Sequence, residues 1–494
     1  MLFTTANFAL VYLPLVLCGF FVLGRWTPRG AAAWLFASSL FFYGYWMPVY
    51  TLLLLGSIAV NFCIGLGIAR ELGRGNRPAA RVWMIVGIAS DLLALAYFKY
   101  ANFLVDNVNA ATGIHWQMAH VLLPIGISFY TFTQIAFLAD TYLGRVGEYR
   151  PIHYGLFVTY FPHLVAGPVL HHAQMMPQFG DPAIYKPQSR HLSVGLAIFA
   201  IGLIKKVVLA DGVAPYADVV FNAADTGHLP DMVEAWLAAA AYTFQLYFDF
   251  SGYSDMAIGL SLLFNVRLPF NFDSPYRALS ISEFWRRWHI SLSKFLRDYL
   301  YIPLGGNRDG AFRRYVNLSL TMLLGGLWHG ASWTFVFWGG LHGAYLMVNH
   351  GFRALLPVRV QEAADASRPF QCASWALTMA AVVVAWVFFR AQSFGGAVHL
   401  LQSMIGGQRP DVHLLLWNAG IRSGRGALWC AVLSLIAFAM PFNSNHLGSK
   451  LKDWVTHRPT LSVPLAAFAL CCILFLIVLN TVRDSVSAFI YFNF

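Results

Sequence analysis

Charge is scarce in this chain. Asp, Glu, Lys and Arg supply 11% of its 494 residues, less than half the roughly 25% of an ordinary soluble domain. With 58% hydrophobic residues and a mean hydropathy of +0.58, a water-soluble globule is excluded, because so much apolar surface could not be hidden from water. Disorder is excluded as well, since low hydrophobicity is what prevents collapse. Cysteine is sparse. Cys18, Cys63, Cys430, Cys471 and Cys472 lie in apolar runs and Cys372 at the edge of one; none has the paired spacing of a zinc or redox site, so they read as small buried hydrophobes. No His-x3-His spacing with a nearby carboxylate appears, so no metal site is expected. The chain has no Walker loop and no Gly-x-Ser-x-Gly nucleophile elbow, since Gly252-Tyr-Ser-Asp255 lacks the closing glycine. It also lacks repeats, low-complexity linkers and a soluble domain, and reads as one membrane-embedded domain over 1–494.

Long hydrophobic stretches are plentiful. About eleven regions approach the roughly 20 residues needed to cross a bilayer: Phe8–Gly24, Ala31–Trp46, Val49–Ala69, Val82–Phe98, Val121–Leu143, Leu192–Ala214, Ala235–Phe264, Val316–Val348, Ala373–Phe389, Ala427–Met440 and Leu461–Asn480. The expected fold is an all-α polytopic membrane protein, with some regions re-entrant or interfacial. Tyr154–Leu170 is one of these, because Pro162, His163, Gly167 and Pro168 argue against a straight spanning helix. The 16 Trp, 22 Tyr and 41 Phe suit helix ends at lipid interfaces.

The net charge of +11 does not point to nucleic acid, because the basic residues cluster between hydrophobic stretches; they read as positive-inside topology and contact with anionic headgroups. The first span has no basic residue before it and no cleavage site after it, so it is not a signal peptide by pattern. Arg25 and Arg29 follow it, which places the amino terminus outside and this loop in the cytoplasm. The uncharged turn Trp46-Met-Pro48 falls opposite, and Arg70, Arg74, Arg77 and Arg81 return to the basic side.

Chemistry concentrates in Asn271–His350. Ser280 and Glu283 fit a capping box, and Phe284, Trp288, Leu292, Phe295 and Tyr299 share one helical face, with Arg286, Arg287, Lys294, Arg297 and Asp298 on the rest. Such a basic amphipathic helix lies in the membrane interface. Between Arg277 and Arg314, eight Arg or Lys oppose Glu283, Asp298 and Asp309, a local +5. Two readings remain: an anchor on anionic lipid, or a docking surface for the phosphates of a donor such as coenzyme A. Downstream, Leu323-Leu-Gly-Gly-Leu-Trp-His-Gly330 sets His329 in a long apolar run. An ionisable group at membrane depth is a functional-site hypothesis by default, the glycines permit close approach, and imidazole exchanges protons near neutral pH. A neutral histidine bonded to a neighbouring helix is the structural alternative. His289 is the second candidate. His342 shares the run, His163 is expected to line a cavity, and His171–His172 read as interfacial decoration. Gln245, Asp249 and Asp255 need buried partners, for which the Arg277–His350 block would serve; Asp91 and Lys205–Lys206 raise the same question.

Three segments then carry a resemblance: Phe284-Trp-Arg-Arg-Trp-His-Ile-Ser-Leu-Ser293, Leu323–Gly330 and Tyr247-Phe-Asp-Phe-Ser-Gly-Tyr-Ser-Asp-Met-Ala-Ile-Gly259. Together they resemble the membrane-bound O-acyltransferase family, best its bacterial alginate O-acetyltransferase branch. Leu123–Tyr130, Pro162–Pro168, Trp386–Ala391 and Phe489–Phe494 match that branch too. The resemblance implies a ring of tilted helices around a thinned centre, with funnels from both sides meeting at a catalytic His329 seconded by His289. It also implies acetyl-CoA as donor substrate, no bound cofactor, and a periplasmic serine-hydrolase-type partner that passes acetyl to a secreted alginate-like or cellulose-like polysaccharide at a bacterial inner membrane. Arg286, Arg287, Lys294, Arg297 and Trp328 are the expected donor-binding residues. The alternatives are transfer of D-alanine or another acyl to teichoic acid or peptidoglycan, and, from a different class, a proton-coupled transporter.

Overall fold

The computed structural model describes residues 2–165, 167–407, 409–440, 443–482 and 489–490; Ala166 and the Tyr491–Phe494 part of the closing motif lie outside them. Every regular element among these residues is a helix. Six are long and apolar enough to cross a membrane: Asn7–Gly24, Pro48–Gly73, Arg77–Thr112, Ser189–Asp225, Arg368–Arg390 and Pro459–Val482, with Ser423–Ala439 plus Ser444–His457 qualifying only as a pair. The chain is an all-α multi-pass membrane protein.

Several of the remaining apolar regions are shortened or broken by identifiable features. Ala31–Trp46 forms a 17-residue helix, Pro28–Gly44, that begins at a proline. In Val121–Leu143 the helix starts only at Ile127, after Gly126 takes a left-handed turn at φ 76°. Val316–Val348 splits into two helices, Gly310–His329 and Trp333–Leu355. Tyr154–Leu170 stops being helical at Thr159. The cysteines are not buried: Cys18, Cys63, Cys372 and Cys471 are exposed and Cys430 and Cys472 half-exposed, as expected for small apolar side chains whose solvent is lipid.

The fold divides into two compact units, each built from separated stretches of chain. The first draws on Met1–Leu203, Tyr253–Phe270 and His446–Phe492, and the second on Ile204–Gly252 and Asn271–Asn445. In the first, Gly65 and Gly87 let the Phe137 and Leu138 side chains approach the Pro48–Gly73 and Arg77–Leu95 helices. Asn61 Nδ2 donates to Asp91 Oδ1 at 2.7 Å, which answers the buried Asp91. His172, expected at an interface, is instead buried: Nδ1 meets Asp140 Oδ2 at 3.0 Å and Nε2 meets the Arg145 carbonyl at 3.1 Å. His171 remains near the surface and caps the His172–Phe179 helix. His163 is buried beside the Tyr160 ring.

The second unit answers the question of the buried carboxylates differently from the sequence expectation. The partner of Asp249 is Lys206, at 2.6 Å, and the same ammonium reaches Asp211 at 2.8 Å. All three side chains are 11% exposed or less. The ion pair therefore joins the Met232–Leu263 helix to the preceding segment and does not draw on the basic block around Arg277–His350.

Candidate active site

His289, His329, His342 and the basic candidates all belong to the second unit. His329 ends the Gly310–His329 helix. The chain turns at once, and Ser332 caps the returning Trp333–Leu355 helix by accepting from Thr334 N. This hairpin closes tightly. A Cβ on Gly326 would fall on the Phe335 carbonyl and stand 3.0 Å from Gly339 Cα, so backbone meets backbone where the glycines face one another. Gly326→Ala is expected to force the two helices apart, at an overpacking cost of about 1–3 kcal/mol. The check is a lowered thermal midpoint of the purified variant, accompanied by lower transfer activity.

The closed hairpin places His329 in an aromatic surround. Its ring centroid lies 5.0 Å from Trp328, 5.1 Å from Trp338 and 5.2 Å from Phe389. All three neighbours meet it edge to face, the arrangement ring quadrupoles prefer. Trp338 also packs against His342 at 4.9 Å, so one indole touches both imidazoles. Trp285 Nε1 donates to His342 Nδ1 at 3.3 Å, which leaves the His342 proton on Nε2. His329 keeps 5% of its surface exposed, and His342 and His289 keep none.

His289 is positioned by a device that the amphipathic pattern concealed. The expected continuous helix through Phe284–Tyr299 is broken: one helix runs Ile281–Arg287 and another Ile290–Leu296, and His289 between them has φ 43° and ψ 54°. For a residue with a Cβ this left-handed backbone is unusual and is held by its surroundings. Asn271 holds it. Its carbonyl accepts from Ile290 N at 2.9 Å, and its Oδ1 accepts from Ser291 N at 3.1 Å, Ser291 Oγ at 2.9 Å and His289 Nδ1 at 3.2 Å. Because a backbone N–H also uses that oxygen, Oδ1 is an acceptor and His289 Nδ1 donates. The lone pair therefore sits on Nε2. Phe250 closes the other side, edge-on at 4.7 Å. Trp288 packs on Trp386 at 5.0 Å, and Trp386 on Trp338 at 5.9 Å, so aromatic rings run continuously from the His289 segment to His329.

Burial pushes the His289 imidazole below the ordinary value of 6.5, to about 3. The unfolded chain takes up a proton here near pH 6.5 that the folded chain refuses, so the contribution to stability falls as the pH drops below that value. The thermal midpoint is expected to decline on acidification through this range, and to decline less in His289→Asn, which titrates nowhere near it.

The Ile281–Arg287 helix starts as expected, with Ser280 accepting from Glu283 N at 3.2 Å. The reciprocal bond is displaced by one residue: Glu283 Oε2 accepts from Leu279 N at 2.9 Å. Glu283 also pairs with Arg287 at 2.8 Å, and Arg297 with Asp298 at 2.7 Å, so two of the four expected donor-binding cations already hold carboxylates. Arg286 and Lys294 are exposed. Arg286 and Arg314 are both close enough to help burial depress the His350 imidazole, which groups these cations at one place. Trp328, the fifth expected donor-binding residue, is buried against His329. Asn271, Trp285 and Trp338 touch the candidate histidines, and the sequence did not single them out. Asn271 opens the region where chemistry concentrates, whereas nothing distinguishes Trp338 from other aromatics in an apolar run. Among the described residues no group of three or more His, Cys, Asp or Glu is placed to hold a metal ion.

The second unit thus groups a buried histidine at a helix end with a second whose tautomer is fixed. Residues 144–381 match the membrane-bound O-acyltransferase family, and the chain belongs to that family and is an O-acyltransferase. It is similar to a protein of Pseudomonas putida described as "Probable alginate O-acetylase AlgI", 40% identical over the whole of both chains. It is also similar to the peptidoglycan O-acetyltransferase of Helicobacter pylori, 38% identical over all of this chain and 98% of that one. The teichoic acid D-alanyltransferase of Bacillus subtilis is 27% identical over 48% of this chain and 61% of its own.

Proposed function

We propose that this protein moves acetyl groups from cytosolic acetyl-CoA across a bacterial inner membrane, amino terminus outside, for O-acetylation of a secreted alginate-like or cellulose-like polysaccharide. A periplasmic partner of serine-hydrolase type would complete the transfer, consistent with the absence of a Gly-x-Ser-x-Gly elbow here. The observation that carries the reading is the grouping of His329 and His342 around Trp338, in one unit with a His289 whose tautomer Asn271 fixes. Acetyl is preferred to D-alanine because the relatives similar over the whole chain are named for acetylation, while the D-alanyl relative covers half of it. Peptidoglycan is the second acceptor, supported by the Helicobacter pylori relative.

In this reading the coenzyme A phosphates dock at Arg286 and Lys294, with Arg287 and Arg297 adding charge nearby. Neutral His329 takes the proton from the acceptor hydroxyl as that oxygen attacks the thioester carbonyl. The C–O bond forms, the C–S bond breaks, and the thiolate leaves with the proton that His329 had taken. The helix that ends at His329 offers the partial negative charge of its C-terminus to the transient imidazolium. Buried N–H donors such as Trp338 Nε1 and His342 Nε2, which bond to no other group among the described residues, suit the developing oxyanion. The test is to supply purified membranes with labelled acetyl-CoA or with a D-alanyl carrier protein. Label is expected in an exported glycan from acetyl-CoA alone. Transfer from the carrier alone would overturn the choice of donor.

A further inference from the structure

We propose that the first unit binds an anionic glycerophospholipid, with its phosphate among Arg190, Arg267 and Lys452 and one acyl chain in an adjoining apolar slot. Two cavities meet there. One, of about 700 Å³, has polar side chains in its wall from Gln178, Arg190, His191, Asn265 and Arg267. The other, of about 210 Å³, is lined by Val194, Ile198, Ile258, Leu262 and Phe270, with Lys452 at its edge. His191, Arg267 and Leu268 line both, so the two spaces adjoin. The three cations all lie near enough to act on the charge of His191. The one carboxylate in the polar wall, Asp181, caps a turn by accepting from Ala183 N at 2.9 Å and is outnumbered by the three cations.

The polar half is a built site. Gln178 clamps the Arg267 backbone from both sides, accepting from its N–H at 2.8 Å and donating to its carbonyl at 3.0 Å. Asn265, at φ 61°, donates to the carbonyls of Ile184 and Lys186 and accepts from His191 Nδ1 at 2.8 Å. Arg190 Nε is buried without a hydrogen-bond partner among the described residues, which points to a ligand atom that completes it. A soluble phosphate would satisfy the cations and leave the apolar slot unfilled. A lipid with an anionic headgroup fills both halves, and the slot is walled by the membrane-spanning Ser189–Asp225 helix. The location agrees. Gly24 packs on the Tyr185 carbonyl, where a Cβ would stand 2.7 Å away, so the cavity lies at the Arg25–Arg29 end, which the positive-inside rule assigns to the cytoplasmic leaflet.

The test uses the full-length protein purified in a nonionic detergent, with bound lipid counted by native mass spectrometry. The probes are dioctanoyl-phosphatidylglycerol, dioctanoyl-phosphatidylcholine and glycerol 3-phosphate. The expected result is one phosphatidylglycerol retained about tenfold more tightly than phosphatidylcholine, weakened in Arg190→Ala and, independently, in Lys452→Glu and Ile198→Trp. Lys452 is partly exposed and its replacement is expected to leave the fold intact, so a folding failure of Arg190→Ala would not decide the matter. Equal retention of phosphatidylcholine, full displacement by glycerol 3-phosphate at equal concentration, or unchanged affinity in Lys452→Glu would overturn the proposal.

Discussion

His329→Ala is expected to reduce acyl transfer to background, a loss of about 10²–10⁴-fold for removal of a positioned general base, while the protein still inserts and folds. Alanine also leaves a void among Trp328, Trp338 and Phe389, so a loss with this variant alone would mix chemistry with packing. His329→Gln separates the two. It fills most of the same space and offers polar atoms, yet exchanges no proton near neutral pH. The expected outcome is a thermal midpoint close to that of the parent with acetate on the exported polymer falling as far as in the alanine variant. A glutamine variant that folds and still acetylates would remove His329 from the proton-transfer role.

The largest effect on stability is expected at Lys206. Its ammonium is buried between Asp211 and Asp249, and taking away one partner of a buried ion pair leaves an uncompensated charge that costs about 3–5 kcal/mol. Lys206→Met therefore should lower the yield of folded protein and its thermal midpoint more than any single surface change. Adding Asp249→Asn should recover part of the loss, because the more deeply buried of the two stranded carboxylates goes with it. Without that recovery, the loss would have to be assigned to the Lys206 side chain's packing.

How much of this was legible in the sequence depends on the residue. The apolar stretches, the interruption at Pro162 and the prominence of His329 follow from local composition, and the structure has helices where the strongest stretches lie. The break at His289 was not legible. The apolar spacing from Phe284 to Tyr299 is compatible with one helix, and the left-handed turn is imposed by Asn271, eighteen residues earlier. Buried polar pairs were equally hidden. Asp249 was visibly in need of a cation, but choosing Lys206 over the basic block requires knowing which helices neighbour one another. His172 looked like half of an interfacial pair because nothing local reveals that Asp140, 32 residues away, would bury it.

Trp338 packs against both His329 and His342. Variation at this one position should consequently be felt at two imidazoles together, and the effects of replacing them singly should not multiply. A double-mutant cycle between 329 and 342 should show a coupling that shrinks once the indole is replaced by a smaller side chain. Homologous sequences would then be constrained at 338 by epistasis between two histidines, more than by the size of any one pocket.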